Sequence, residues 1–125
     1  MSTDYLACHG HLLPASNQNL EALGITPKII DDNVENPLDF SNYKDIESYV
    51  NTILEGHRTI HVPTKFNMTV EIFTYYEENG SCYDEIDEGS YILFSTDQLF
   101  KPTELNDNLS MSGILPEEKA WVEYG

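Results

Sequence analysis

Apolar and polar positions divide the chain into a short list of elements. The clearest is "SNYKDIESYVNTILEG", where Ile46, Tyr49, Val50, Ile53 and Leu54 recur at i, i+3, i+4, i+7 and i+8. That spacing puts them on one stripe of an amphipathic helix. The pattern predicts a main helix over about 42–55, with Ser41 or Asn42 as its cap and Gly56 closing it in a left-handed conformation. Its other face, Lys44, Glu47, Ser48, Asn51 and Glu55, reads as solvated surface.

Strand patterns lie on either side of this helix. "DYLACHGHLL" mixes β-favouring and small residues up to Pro14 and predicts a first extended segment. "SNQNLEALG" offers Ser16 or Asn17 as a cap and Gly24 as a stop, and predicts a short helix. Residues 25–40 contain Pro27, Pro37 and four acids, and read mostly as loop. "RTIHV" is a short strand ended by Pro63. Beyond it Phe66, Met68, Val70 and Ile72 alternate with polar residues, the period of a strand with one buried face.

Asn79-Gly80 suits a two-residue hairpin turn, which pairs Val70–Glu78 with Ser81–Glu88. "SYILFS" supplies another strand. "LPEEKAWVEYG" reads as a terminal helical turn, with Pro116 at its first position and Glu117 and Glu118 at the positive end of its dipole. Hairpin connections and the absence of alternating βα units predict one α+β domain over residues 1–125. Its antiparallel sheet of about four strands packs against the main helix, with short helices besides.

Charge changes this picture. The chain carries 22 acidic and six basic residues, a formal net charge of −16. Such a surface repels nucleic acid and anionic lipid and attracts basic proteins or cations. The densest cluster is Glu77, Glu78, Asp84, Glu85, Asp87 and Glu88, with no Lys or Arg anywhere between Lys65 and Lys101. Like charges so placed weaken their own ribbon, so the fold gains nothing from them. They suit the cationic groove of a nucleic-acid-handling protein, where carboxylates stand in for phosphates.

Tyr76 and Tyr83 are the candidate anchors within this cluster, because tyrosine buries area while keeping a polar tip. Packing inside the sheet is expected for at least two of Tyr75, Tyr76, Tyr83 and Tyr91. Asp31, Asp32, Glu35 and Asp39 form a second acidic segment. The expected function is a small acidic inhibitor of a basic, nucleic-acid-handling protein, of anti-restriction, anti-CRISPR or nuclease-immunity type. This expectation rests on charge alone, with neither cofactor nor catalysis, and with no direct contact to nucleic acid or membrane.

Two other classes compete with it. In "CHGH", His9 and His11 project together from an extended segment while Cys8 points away, so a metal-binding domain or metalloenzyme would need further ligands brought by the fold. "DEIDEGS" does not reproduce the ligand spacing of a calcium-binding EF-hand loop. The third class is a structural or assembly protein whose acidity only keeps it dissolved. Cys8 and Cys82 form no disulfide framework, and no phosphate-binding glycine loop or nucleophile elbow occurs. The first residues lack a signal-peptide pattern and no apolar run is long enough to span a bilayer, so a cytoplasmic chain is expected.

Overall fold

The computed structural model describes residues 5–56, 59–76, 85–94 and 116–124. Strand β1 (Tyr5–Pro14) leads into helices α1 (Asn17–Ala22) and α2 (Pro27–Asp32), a 3₁₀ turn at Phe40–Asn42 and helix α3 (Ile46–Gly56). Strands β2 (Thr59–Pro63), β3 (Thr69–Tyr75), β4 (Gly89–Phe94) and β5 (Glu117–Tyr124) follow. They form one antiparallel sheet in the order β2-β3-β4-β1-β5. The fold is α+β, as the hairpin-rich pattern predicts.

Tyr49, Val50, Ile53 and Leu54 of α3 are all buried. They meet Ile60, Val62, Val70, Ile72, Ile92 and Phe94 from one sheet face, and α1 and α2 add Leu20 and Ile30. The opposite sheet face holds a second cluster of Leu12, Phe73, Tyr75 and Trp121, with Ile86 packed on it. Phe73 stacks on Trp121 at 5.4 Å between ring centroids. These rings belong to β3 and β5, with β4 and β1 between them. Gly10 on β1 makes the reach possible: a Cβ there would lie 3.6 Å from the Trp121 ring and 2.5 Å from Leu93 Cδ1.

Local chemistry sets the helix ends. Ser16 accepts from the Asn19 N–H, and α1 stops at Gly24, whose φ of 73° allows the Ile25 N–H to reach the Leu20 carbonyl at 3.0 Å. For α3 the cap is Asp45, whose carboxylate accepts from the Ser48 N–H at 2.9 Å. Asn17 assists from α1, accepting from the Glu47 N–H at 2.8 Å and donating to Asp45 at 3.1 Å. The bonds from Ser48 and Asn17 hold the Asp45 carboxyl below the usual range, the backbone bond from Ser48 most of all.

Three expectations are corrected and one is filled in. Residues 25–40 are mostly loop, as expected, but they also hold a helix: Thr26 caps α2 and Pro27 occupies its first turn, where a missing N–H costs nothing. The main helix starts at Ile46 rather than near 42, since Asp39 caps the separate 3₁₀ turn and Asp45 caps α3, and Gly56 is its last residue without a positive φ. β3 pairs with β2 and with β4, with Tyr75 opposite Gly89 of β4, and residues 85–88 are not strand. Finally, the C-terminal segment is not helical. Pairing with β1 from Tyr5↔Tyr124 to Leu12↔Glu117 makes it the fifth strand, because the buried Trp121 and a full backbone ladder outweigh the helix-start pattern of Pro116-Glu117-Glu118. The Asn79-Gly80 turn lies outside the described residues.

Candidate functional site

Of the eight residues expected at a partner surface, Tyr76, Glu85, Asp87 and Glu88 are described, whereas Glu77, Glu78, Tyr83 and Asp84 lie outside the described residues. The four do not form a row along one strand. Glu85 is bound to the edge of β5, its N–H donating to the Ala120 carbonyl and its carboxylate accepting from the Ala120 N–H, both at 2.9 Å. Asp87 is exposed, and its backbone carbonyl accepts from the Tyr91 hydroxyl at 2.7 Å. Burial raises the Tyr91 pKa above its ordinary value.

Tyr76 and Glu88 do come together. They line an open groove of about 450 Å³ whose other wall is the outward face of α3, with Glu47, Asn51 and Glu55. Helical geometry explains that wall, since residues at i, i+4 and i+8 fall on one side of a helix. Strand geometry supplies the floor. Thr74 and Ser90 are Cα partners on β3 and β4, their hydroxyls lie 3.1 Å apart, and Ser90 donates to the Asn51 side chain. This hydrogen-bonded chain ties helix to sheet beneath the groove.

Among the described residues lining the groove there is no Lys or Arg. Elsewhere Lys28 pairs with Asp32 at 3.0 Å, Lys119 with Glu117 at 3.3 Å, and Lys65 lies over the Phe66 ring. Tyr76 is 53% exposed and lines the groove. Tyr75 is buried and Tyr91 packs beside it, so the expected in-sheet packing holds for those two tyrosines.

The second acidic segment divides by role. Asp31 bonds the buried Tyr49 hydroxyl, Asp32 pairs with Lys28, and Asp39 accepts from the Ser41 N–H and hydroxyl, which lowers its pKa. Glu35 is exposed. Asp31, Asp32 and Asp39 therefore have partners within the fold, and Glu35 is the exposed acid of the four for which no partner is described.

His9 and His11 project from β1 on the face opposite to Cys8, as the alternation predicts. His9 pairs with Glu118 of β5, and Cys8 packs against the Trp121 cluster. His61 pairs with Glu71 at 3.3 Å on the neighbouring strands. Among the described residues no three His, Cys, Asp or Glu side chains converge as metal ligands would. No described helix is long and apolar enough to cross a membrane.

Glu47, Asn51 and Glu55 lie on the solvated face of α3, as expected, and also line the groove. Their spacing of four on one helical face, without an intervening cation, was the available signal. Comparison of the chain with known protein families, with curated proteins and with solved structures found no match.

Proposed function

We propose that this chain is a non-catalytic binding protein whose acidic groove engages the cationic face of a basic, nucleic-acid-handling protein and inhibits it by standing where phosphates would. One observation supports the reading above others: Glu47, Glu55 and Glu88, from two distant parts of the sequence, share a groove with the exposed ring of Tyr76, and no described residue there supplies a cation. Carboxylates with cationic partners of their own would hold a fold together, whereas among the described residues no Lys or Arg lines the groove beside these. The net charge of −16 extends the same field over the rest of the surface and favours rapid encounter with a basic partner. Glu77, Glu78 and Asp84, close to Tyr76 and Glu85 in sequence, are part of that charge.

The test is capture from a nuclease-treated lysate at low and high salt, comparing the native chain with an E47Q/E55Q/E88Q variant. The expected result is a basic protein retained at low salt, displaced by added duplex DNA or RNA and by salt, and not retained by the variant. Equal retention by the variant, or indifference to nucleic acid, would count against the reading.

A further inference from the structure

We infer that the groove between α3 and the β3–β4 end of the sheet is a docking site for an arginine side chain of the basic partner, with Tyr76 as the stacking platform and Glu47, Glu55 and Glu88 as the anionic walls. This inference rests on the proposed function and names the chemical group that the groove takes. Three features argue for it. Tyr76 is the most exposed aromatic among the residues whose side chains are described, and it belongs to neither core cluster. The volume of about 450 Å³ is within the range of small-ligand sites, larger than a single ion needs. The walls are complementary in charge to a cation and come from different elements: Glu47 and Glu55 are separated by eight residues, about 12 Å along α3, and Glu88 precedes β4.

Guanidinium fits this combination better than ammonium does. It is planar, stacks on an aromatic face, and presents a fork of donors to carboxylates, whereas lysine offers a hydrated point charge. The Thr74–Ser90–Asn51 hydrogen bonds tie α3 to the sheet where both line the groove. Nucleic-acid-handling proteins use arginine for bidentate phosphate contacts, so the same side chain that meets phosphate would find carboxylates here.

The experiment uses the full chain, isotopically labelled, titrated with a capped hexapeptide containing two arginines and with the matching lysine and citrulline peptides. The arginine peptide is expected to shift the Asn51 side-chain amide and the backbone amides of Tyr76 and Ser90. The lysine peptide should bind more weakly and the citrulline peptide not at all. Y76A should weaken the arginine peptide by about two- to fivefold, the worth of a cation–π contact at an exposed ring, while leaving the lysine peptide nearly unchanged. Shifts spread evenly over Asp32, Glu35 and the groove, or equal losses for both peptides in Y76A, would overturn the inference. The two readings also fail separately. A nucleic-acid-displaceable partner with no groove shifts sinks the arginine site alone; groove shifts with no such partner sink the proposed inhibitor and leave a site selective for arginine.

Discussion

The hydroxyl of Tyr49, on α3, is hydrogen-bonded to the carboxylate of Asp31 at the end of α2. The same hydroxyl is 2.7 Å from the Leu38 carbonyl and accepts from the Leu38 N–H at 3.1 Å. One buried oxygen thus holds the chain at two points, 31 and 38, against the main helix. Phe40 and Tyr43 pack edge-on around its ring at 5.4 and 5.2 Å.

Tyr49→Phe removes that oxygen without disturbing the ring packing. It leaves the Leu38 backbone groups and the Asp31 carboxylate short of a partner, so a loss of about 1 to 3 kcal/mol is expected in chemical denaturation. The pH dependence adds a second signature. Burial, reinforced by the bond to Asp31, pushes the Tyr49 pKa up to about 12 from its ordinary value of 10.0. Because the folded value is the higher, its contribution is complete below about pH 10 and is lost as pH rises toward 12. The phenylalanine variant should lack that part of the alkaline decline.

The α1–α3 clasp gives a second prediction. Asn17→Ala loses both the acceptor for the Glu47 N–H and the donor to Asp45, and a cost of about 1 kcal/mol is expected, typical of a lost cap. Asp45 has its carboxyl pKa lowered, so its contribution is present above about pH 4 and falls away as acid protonates it. Acid titration of Asp45→Asn against the native chain should show a shallower loss of stability below pH 4 in the variant.

How much of this was legible beforehand follows from how local each cause is. The buried stripe of α3 and the alternation in β3 are periodicities within a single segment, and both were readable. The start of α2 was also local, with Thr26 before Pro27 as a helix-start signal, but Pro27, Pro37 and the acids outweighed it in a loop reading. By contrast, β5 could not be recognised from its own residues, because what makes it a strand is a ladder with β1, more than a hundred positions away. The groove is non-local in the same way. Tyr76 and Glu88 stood out as an aromatic and an acid in a charge cluster, but only the packing of α3 across the sheet gives them Glu47 and Glu55 as neighbours.

Gly10 supports a third prediction. A Cβ at this position meets Leu93 first and the Trp121 ring next. Gly10→Ala is tolerable if the Leu93 side chain turns aside, whereas Gly10→Val adds bulk that must displace the Phe73–Trp121 stack. Overpacking of that kind costs about 1 to 3 kcal/mol. Trp121 is the single tryptophan of the chain, so its fluorescence reports the change directly. Gly10→Val should shift the emission to longer wavelength and lower the midpoint of unfolding, and adding Leu93→Ala should recover part of both.

The last prediction separates charge kept for a partner from charge kept for the fold. If Glu47, Glu55 and Glu88 serve only the groove, E47Q/E55Q/E88Q should unfold at the same temperature as the native chain or higher, since three like charges are relieved in a molecule of net charge −16. Salt must reveal the origin of any gain. At 10 mM ionic strength the screening length is about 30 Å and the variant's advantage should be at its largest; at 1 M it is about 3 Å and the two melting curves should converge. A variant that melts well below the native chain at both ionic strengths would mean that these carboxylates hold the walls of the groove in place, and its loss of binding could no longer be read as loss of charge complementarity. In that case Y76A, which removes an exposed ring and no charge, becomes the cleaner probe of the same groove.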